Sequence, residues 1–240
     1  MDNLAGIATP RVSCAVWGNL ETDNPEYVTM IDAFTALERL RAGNRRFAAG
    51  LRSADTQLGY AKRAELAAGQ EPFAVILGCS DSRVPAEIVF DQGLGDLFVI
   101  RVAGNVVAPS QVGSVEFAVA QFGTRLVVVL GHSRCGAVRA TVEQLQRPTA
   151  DQSRNIRSIV DRIRPSVEGL LETELRHQPE ALMQMAVRAN VRTSVNQLQH
   201  GSALIEELVE NDGLLIVGAE YSLATGVVDF LNGASKSGAE

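Results

Sequence analysis

The sequence predicts an α/β fold: a mostly parallel, four-stranded central sheet with an added edge strand, flanked by helices. Two observations predict it. Four short apolar runs, Phe73 to Leu77, Leu97 to Val102, Leu126 to Leu130 and Leu214 to Val217, show no alternation of apolar and polar residues. That pattern marks strands covered on both faces, as in a parallel sheet. The segments between and after them carry helical spacing, and strands alternating with helices give a parallel sheet joined by right-handed crossovers.

Residues 1–25 mix Gly, Pro, Asn and Thr with single apolar residues and show no period. They read as a leader or a dimer-packing arm, the sole tryptophan, Trp17, favouring the arm; residues 26–240 read as one domain. From Thr29 the pattern turns helical, with Ile31, Phe34, Leu37 and Leu40 in phase and Gly50 as the stop. Arg39, Arg41, Arg45 and Arg46 crowd this helix and are expected on a solvated face, with some pairing to acids. After the first two strand runs, Val112, Val115, Val119 and Phe122 recur at helical spacing. The third run is followed by an almost wholly helical stretch from Arg134 to Asn211, punctuated by Pro148, Pro165 and Pro179. The fourth run comes next, and Val227 to Phe230 after Gly226 reads as the edge strand.

With 240 residues, the chain can bury roughly 70% of its unfolded surface and needs no disulfide or metal staple to fold. Hydrophobic residues at 46% and charged residues at 21% exclude a disordered or fibrous chain. A net charge of −6 excludes a nucleic-acid binder that relies on a basic field, and 5% aromatics leaves little for base stacking. No run approaches the roughly 18 to 20 apolar residues of a membrane span. Met1-Asp2-Asn3 lacks the basic start and apolar core of a signal peptide, so the expected location is cytoplasmic. Three cysteines, an odd number in a long chain, are expected as reduced thiols. Cys14 lies in the leader; Cys79 and Cys135 carry more information.

Cys79 and His132 both follow strand runs, at strand carboxyl ends, where ligands bind in open α/β sheets. Cys135 comes three residues after His132, at a strand-to-helix turn, a spacing that lets both face one point. Two thiolates and an imidazole form the three-ligand set a catalytic zinc keeps while its fourth position stays open, and sulfur ligands favour zinc over magnesium or calcium. Buried structural thiols are the competing reading of that set alone. Directly after Cys79 stand Asp81 and Arg83. Beside a metal, Asp81 could accept a hydrogen bond from bound hydroxide or ligate the ion, and a bidentate pair with Arg83 would choose between those roles. A surface ion pair is the plain alternative.

Taken together, Cys79-Ser80-Asp81-Ser82-Arg83-Val84 and Gly131-His132-Ser133-Arg134-Cys135-Gly136-Ala137 resemble the two signatures of the β-class carbonic anhydrases. The flanks resemble the family too: Leu40 to Phe47, Phe90-Asp91-Gln92-Gly93, the Arg101 to Asn105 loop, and Gly113 to Val119. The resemblance spans about residues 30 to 232. It implies one zinc ion per chain held by Cys79, His132 and Cys135, with Asp81 and Arg83 as the adjacent catalytic dyad and Asp81 as a conditional fourth ligand. It further implies that Gln70 orients substrate, that Phe98 lines an apolar pocket at a dimer interface, and that Gly136 lies near the zinc. The implied reaction interconverts carbon dioxide and bicarbonate by attack of zinc-bound hydroxide, in a homodimer or a multiple of dimers. Three positions depart from the family pattern: Val102 where Asn is common, Phe117 where several members carry Tyr, and Ile76 where bicarbonate-inhibited members carry Trp. His177 and His200 read as helix-surface histidines rather than proton shuttles.

Rival readings keep parts of this set. The same ligands could serve hydrolysis of a related heterocumulene such as carbon disulfide, or a zinc could merely staple a non-catalytic dimer. A Cys79–His132 nucleophile leaves Cys135 and Arg83 without a role. A dinucleotide site is weakest, because Gly93-Leu94-Gly95 precedes a strand instead of following one.

Overall fold

The computed structural model describes residues 31–51, 60–148 and 153–231. The expectations for the leader, Cys14 and Trp17 lie outside these residues. Helix α1 (Ala33–Ala48) starts later than its apolar phase suggests, because the Asp32 carboxylate caps it, accepting from the amides of Phe34 at 3.0 Å and Thr35 at 3.1 Å. Such a cap contributes about 1 kcal/mol. Leu37 and Leu40 face the core as expected, while Phe34 stays exposed. Three of the basic residues of α1 find acids: Arg39 pairs with Asp96 at 3.0 Å, Arg41 with Glu38 at 2.6 Å, and Arg46 with the fully buried carboxylate of Asp91 at 2.6 Å.

After α2 (Tyr60–Leu66) come β1 (Ala74–Gly78), the short α3 (Ala86–Val89), β2 (Leu97–Arg101), α4 (Pro109–Gln121) and β3 (Leu126–His132). Then follow α5 (Gly136–Gln146), α6 (Arg154–Val167), α7 (Pro179–Gln199), α8 (Ala203–Asn211), β4 (Leu215–Tyr221) and β5 (Val228–Phe230). The five strands lie in the order β2-β1-β3-β4-β5, the first four parallel and β5 antiparallel to β4. Every residue of β1 and β3 is buried. Ile76, Leu126, Val128 and Leu130 pack with α1 and α3 on one face; Val75, Leu77, Val127 and Val129 pack with α4, α7 and α8 on the other. Double coverage is the physical reason these strands lack alternation, and each buried aliphatic side chain contributes about 1.5–3 kcal/mol relative to exposure.

Further boundaries differ from the sequence reading, among them the end of β4, which runs to Tyr221 instead of Val217. Strand β3 continues through Gly131 to His132, because its ladder with β4 extends to the His132–Tyr221 pair. His132 is therefore the last strand residue, not a residue beyond the strand. Pro165 does not end α6; it sits in the last turn, where a missing amide deletes one hydrogen bond of the helix. Pro179 opens α7 at a position that suits proline.

Helix α7 lies unusually close to the sheet. A Cβ at Gly131 would fall 2.5 Å from Val191 Cγ2, and one at Gly218 2.7 Å from Val191 Cγ1. These two glycines admit the helix against β3 and β4. From β1 the chain crosses to β2 on one side, and from β3 it proceeds to β4 on the other. The carboxyl ends of β1 and β3 therefore flank the point where strand order reverses, the usual ligand-binding edge of an open α/β sheet.

Candidate metal centre

Cys79 follows β1, and its neighbour Gly78 pairs with Leu130 of β3. His132 ends β3, and Cys135 is the N-cap of α5, delivered by a turn in which Arg134 takes φ 57°. The three side chains converge: one ligand atom from each of Cys79, His132 and Cys135 lies within 4.8 Å of the others, and all three residues are buried. The His132 Nδ1 lies 3.0 Å from the Ser133 carbonyl, which makes Nδ1 the protonated nitrogen and leaves Nε2 with a free lone pair. That Nε2 is buried and has no hydrogen-bond partner. A soft, buried donor set with an orphaned imidazole nitrogen fits a zinc ion.

The Cys79 thiol is drawn well below its usual range, first by hydrogen bonding from Cys135, then by the amides of Gly104 and Asp81, against the opposing effect of burial. Cys135 is pushed up, because it donates to Cys79 and is itself buried. A cation at this point would favour the deprotonated form of both sulfurs.

Asp81 and Arg83 form a two-pronged pair, Arg83 Nε to Oδ1 at 2.9 Å and Nη2 to Oδ2 at 2.7 Å, and the Arg83 amide adds a third bond to Oδ1 at 3.0 Å. This hydrogen bonding from Arg83 holds the Asp81 carboxyl well below the usual carboxylate range. Its Oδ2 is also 3.8 Å from His132 Nε2, so the carboxylate sits at the rim of the ligand set.

Of the other residues of the resemblance, Gly136 adjoins this cluster, and Gln70 and Phe98 fall elsewhere. Gly136 directly follows Cys135 as the first residue of α5 and is exposed. Gln70 lies in the chain before β1 and lines a polar hollow with Arg39, Glu71 and Asp96. The five residues of β1, about 16 Å of strand at its usual rise, separate it from Cys79 of its own chain. Phe98 is half-buried on edge strand β2, packed against Phe117 and Phe122 with ring centroids 6.1 and 5.9 Å away. His177 and His200 are both exposed, His200 bonded to Glu206 at 3.0 Å.

Sequence reasoning missed the residues that hold the ligands from behind. Arg101 reaches from the end of β2 to the carbonyls of Cys79 at 3.1 Å and Asp81 at 2.7 Å, fixing the turn between them. The Gly104 amide donates to Cys79 Sγ at 3.3 Å. Both lie in the Arg101–Asn105 loop, whose family pattern marked the segment but not these contacts. Asn190 and Ser194 of α7 were also missed. Their signal is a polar pair in the otherwise apolar buried phase of Val187, Val191, Val195 and Leu198.

The family model described as Carbonic anhydrase matches residues 74–228. The chain is 42% identical over 199 residues to Carbonic anhydrase 2 of Mycobacterium tuberculosis, an alignment covering 80% of this chain and 89% of that protein. It is 42% identical over 194 residues to the Carbonic anhydrase of Mycolicibacterium smegmatis, covering 81% and 91%. Among solved structures, it resembles the b-carbonic anhydrase CafA of Aspergillus fumigatus, with a TM-score of 0.63, 27% identity, and coverage of 85% and 93%. It also resembles one of two tetrameric beta-carbonic anhydrases from Sordaria macrospora, with a TM-score of 0.62, 25% identity, and coverage of 71% and 85%.

Proposed function

The chain belongs to the β-class carbonic anhydrases, zinc-dependent enzymes that interconvert carbon dioxide and bicarbonate, and on that premise we propose that Cys79, His132 and Cys135 hold its zinc, one per chain. The observation that carries this reading is the convergence of three buried ligand atoms on one point, with His132 Nε2 left unpartnered. When bound, the metal supplies Lewis acidity, lowering the pKa of a water to about 7.

The remaining work falls to the chain. Ser133 O fixes the His132 ring through Nδ1, so its orientation is set before any ion arrives. Arg83 holds Asp81 as an anion at the rim of the ligand set, where a carboxylate oxygen accepts a hydrogen bond from the attacking oxygen and orients it toward the carbon of the substrate. Carbon dioxide is apolar and needs little binding energy; a bicarbonate product, once formed, must be displaced by water. Gln70 precedes β1, and Phe98 sits at the level of Val75, four residues before Cys79; this placement toward the opposite end of the strands supports a role at the site of a second subunit, and so a dimer or a multiple of dimers. Gly136, without a side chain beside Cys135, leaves room next to the ligands. Among the described residues no helix is long and apolar enough to cross a membrane, and a centre that depends on two free thiols suits a reducing cytoplasm.

Metal analysis tests the ligand assignment. Wild-type protein is expected to carry about one zinc per chain, and Cys79→Ser or Cys135→Ser to lose most of it, because a neutral hydroxyl replaces a thiolate poorly. Full zinc retention in both variants would overturn the assignment.

A further inference from the structure

The turn at Ala103–Asn105 has one face toward the metal centre and one toward α7. It is tied to the Cys79 segment at its start: the Val102 amide bonds Gly78 O at 3.1 Å, and Ser80 N bonds Val102 O at 3.3 Å. Within the turn, Gly104 takes φ 72° and Asn105 φ 45°, both left-handed, and the Gly104 amide points at Cys79 Sγ. A side chain at Gly104 would meet Ile163 Cδ1 at 2.8 Å and Ala137 Cβ at 3.0 Å, so the position is closed to other residues. Glycine is also the residue least able to hold its own conformation. Something else must hold it.

Helix α7 provides the grip. Asn190 Nδ2 donates to Gly104 O at 2.8 Å, and Ser194 Oγ, one helical turn on, donates to Asn105 O at 3.0 Å. Both side chains are almost wholly buried, at 1% and 2% exposure, in a helix phase otherwise filled by aliphatic residues. Polar groups at such positions are unfavourable unless hydrogen-bonded, so packing alone would favour an apolar residue. The same helix is seated on β3 at Gly131, next to His132. One rigid element thus sets the turn behind Cys79 relative to the strand that presents His132.

Resting on the reading of Cys79 as a zinc ligand, we propose that Asn190 is a positioning residue of the metal centre, fixing the Gly104 turn so that its amide donates to the Cys79 sulfur. A donor aimed at a ligand sulfur spreads its negative charge and sets its direction, and partners of this kind typically alter metal affinity by about 10–100-fold. Without the Asn190 amide, Gly104 O loses its partner, the glycine regains its freedom, and the N–H no longer stays on the sulfur.

The test compares Asn190→Ala and Ser194→Ala with Val195→Ala, a truncation on the same helix that faces Gly218 instead of the turn. Zinc affinity of the full-length protein is measured by chelator competition, and the sulfur-to-metal charge-transfer band by cobalt(II) substitution. Asn190→Ala is expected to weaken zinc binding by about 10-fold or more and to shift the band. Ser194→Ala should move both in the same direction by less, and Val195→Ala should lower the melting temperature while leaving both unchanged. Wild-type affinity and an unshifted band in Asn190→Ala, or the same loss in Val195→Ala, would overturn the proposal. If Asn190→Ala does not fold, Ser194→Ala decides alone, an unchanged affinity and band counting against it. Failure of the underlying reading shows separately, as wild-type protein that holds no zinc.

Discussion

Asp81 receives both prongs of the Arg83 guanidinium and still lies 3.8 Å from His132 Nε2, so rotation of one side chain decides which neighbour it serves. Replacing Arg83 with Ala frees the carboxylate to turn toward the metal and close the position that substrate chemistry needs. Carbon dioxide hydration is expected to fall about 10–100-fold, the range found when a partner of a metal site is lost, with zinc content unchanged. Arg83→Lys should recover part of the rate at most, because a point charge replaces a two-pronged fork. Near-normal turnover of Arg83→Ala across about pH 6 to 9, the range around the zinc-water pKa, would reduce the pair to a structural contact. Because Arg83 holds the Asp81 carboxyl below the usual range, Asp81 remains charged as pH falls through neutrality. The acid limb of the wild-type rate profile should therefore lie near the pKa of about 7 expected for the activated water, not near a carboxylate's 4; stopped-flow rates against pH measure this. At this scale the Cys79–His132–Cys135 cluster and the Asp81–Arg83 pair were legible because two short motifs carry them whole. Arg101, Gly104 and Asn190 were not, since each reaches the site through a backbone group or from a distant element.

Between elements, the segment Gly43 to Arg46 of α1 grips the residues after α3. Asn44 is buried and spends its whole amide on three bonds, to Val89 O at 3.1 Å, to Gly226 O at 2.9 Å, and from Val228 N at 2.8 Å. It thereby joins α1, α3 and β5. Asn44→Ala leaves these groups without partners and should lower stability by about 1–3 kcal/mol or more. A Cβ at Gly43 would lie 1.8 Å from Phe90 O, so α1 and α3 must part if it is added. Gly43→Ala should also cost about 1–3 kcal/mol, read as a lower urea midpoint. Gly136, by contrast, has nothing within 4 Å of a Cβ, and Gly136→Ala should leave stability within about 0.5 kcal/mol of wild type. Loss of stability in Gly136→Ala, or none in Gly43→Ala, would contradict this packing account. The family pattern singled out Leu40 to Phe47 without its reason; the reason is close backbone approach and a buried amide, neither of which leaves an apolar period to read. The same limit moved the strand ends. Gly131 and His132 carry no strand signature, and a ladder to Tyr221 decides their state.

For the whole molecule, the α/β class and strand sequence followed from apolar runs because both faces of the sheet are covered, while strand order came only from the register. The proposed assembly belongs to this scale: it would bring Gln70 and Phe98 to the centre that the resemblance links them to, and Phe117 of the same aromatic cluster is exposed. Light scattering is expected to give a mass of at least two chains at assay concentration, and a stable, fully active monomer would refute that arrangement. The central claim is that catalysis resides in a zinc held by Cys79, His132 and Cys135. Its most direct test is stopped-flow carbon dioxide hydration by the wild-type protein before zinc removal, after removal with a chelator, and after zinc is returned. The account predicts that activity disappears with the metal and returns as zinc reaches about one per chain. Undiminished hydration by metal-free protein would contradict it.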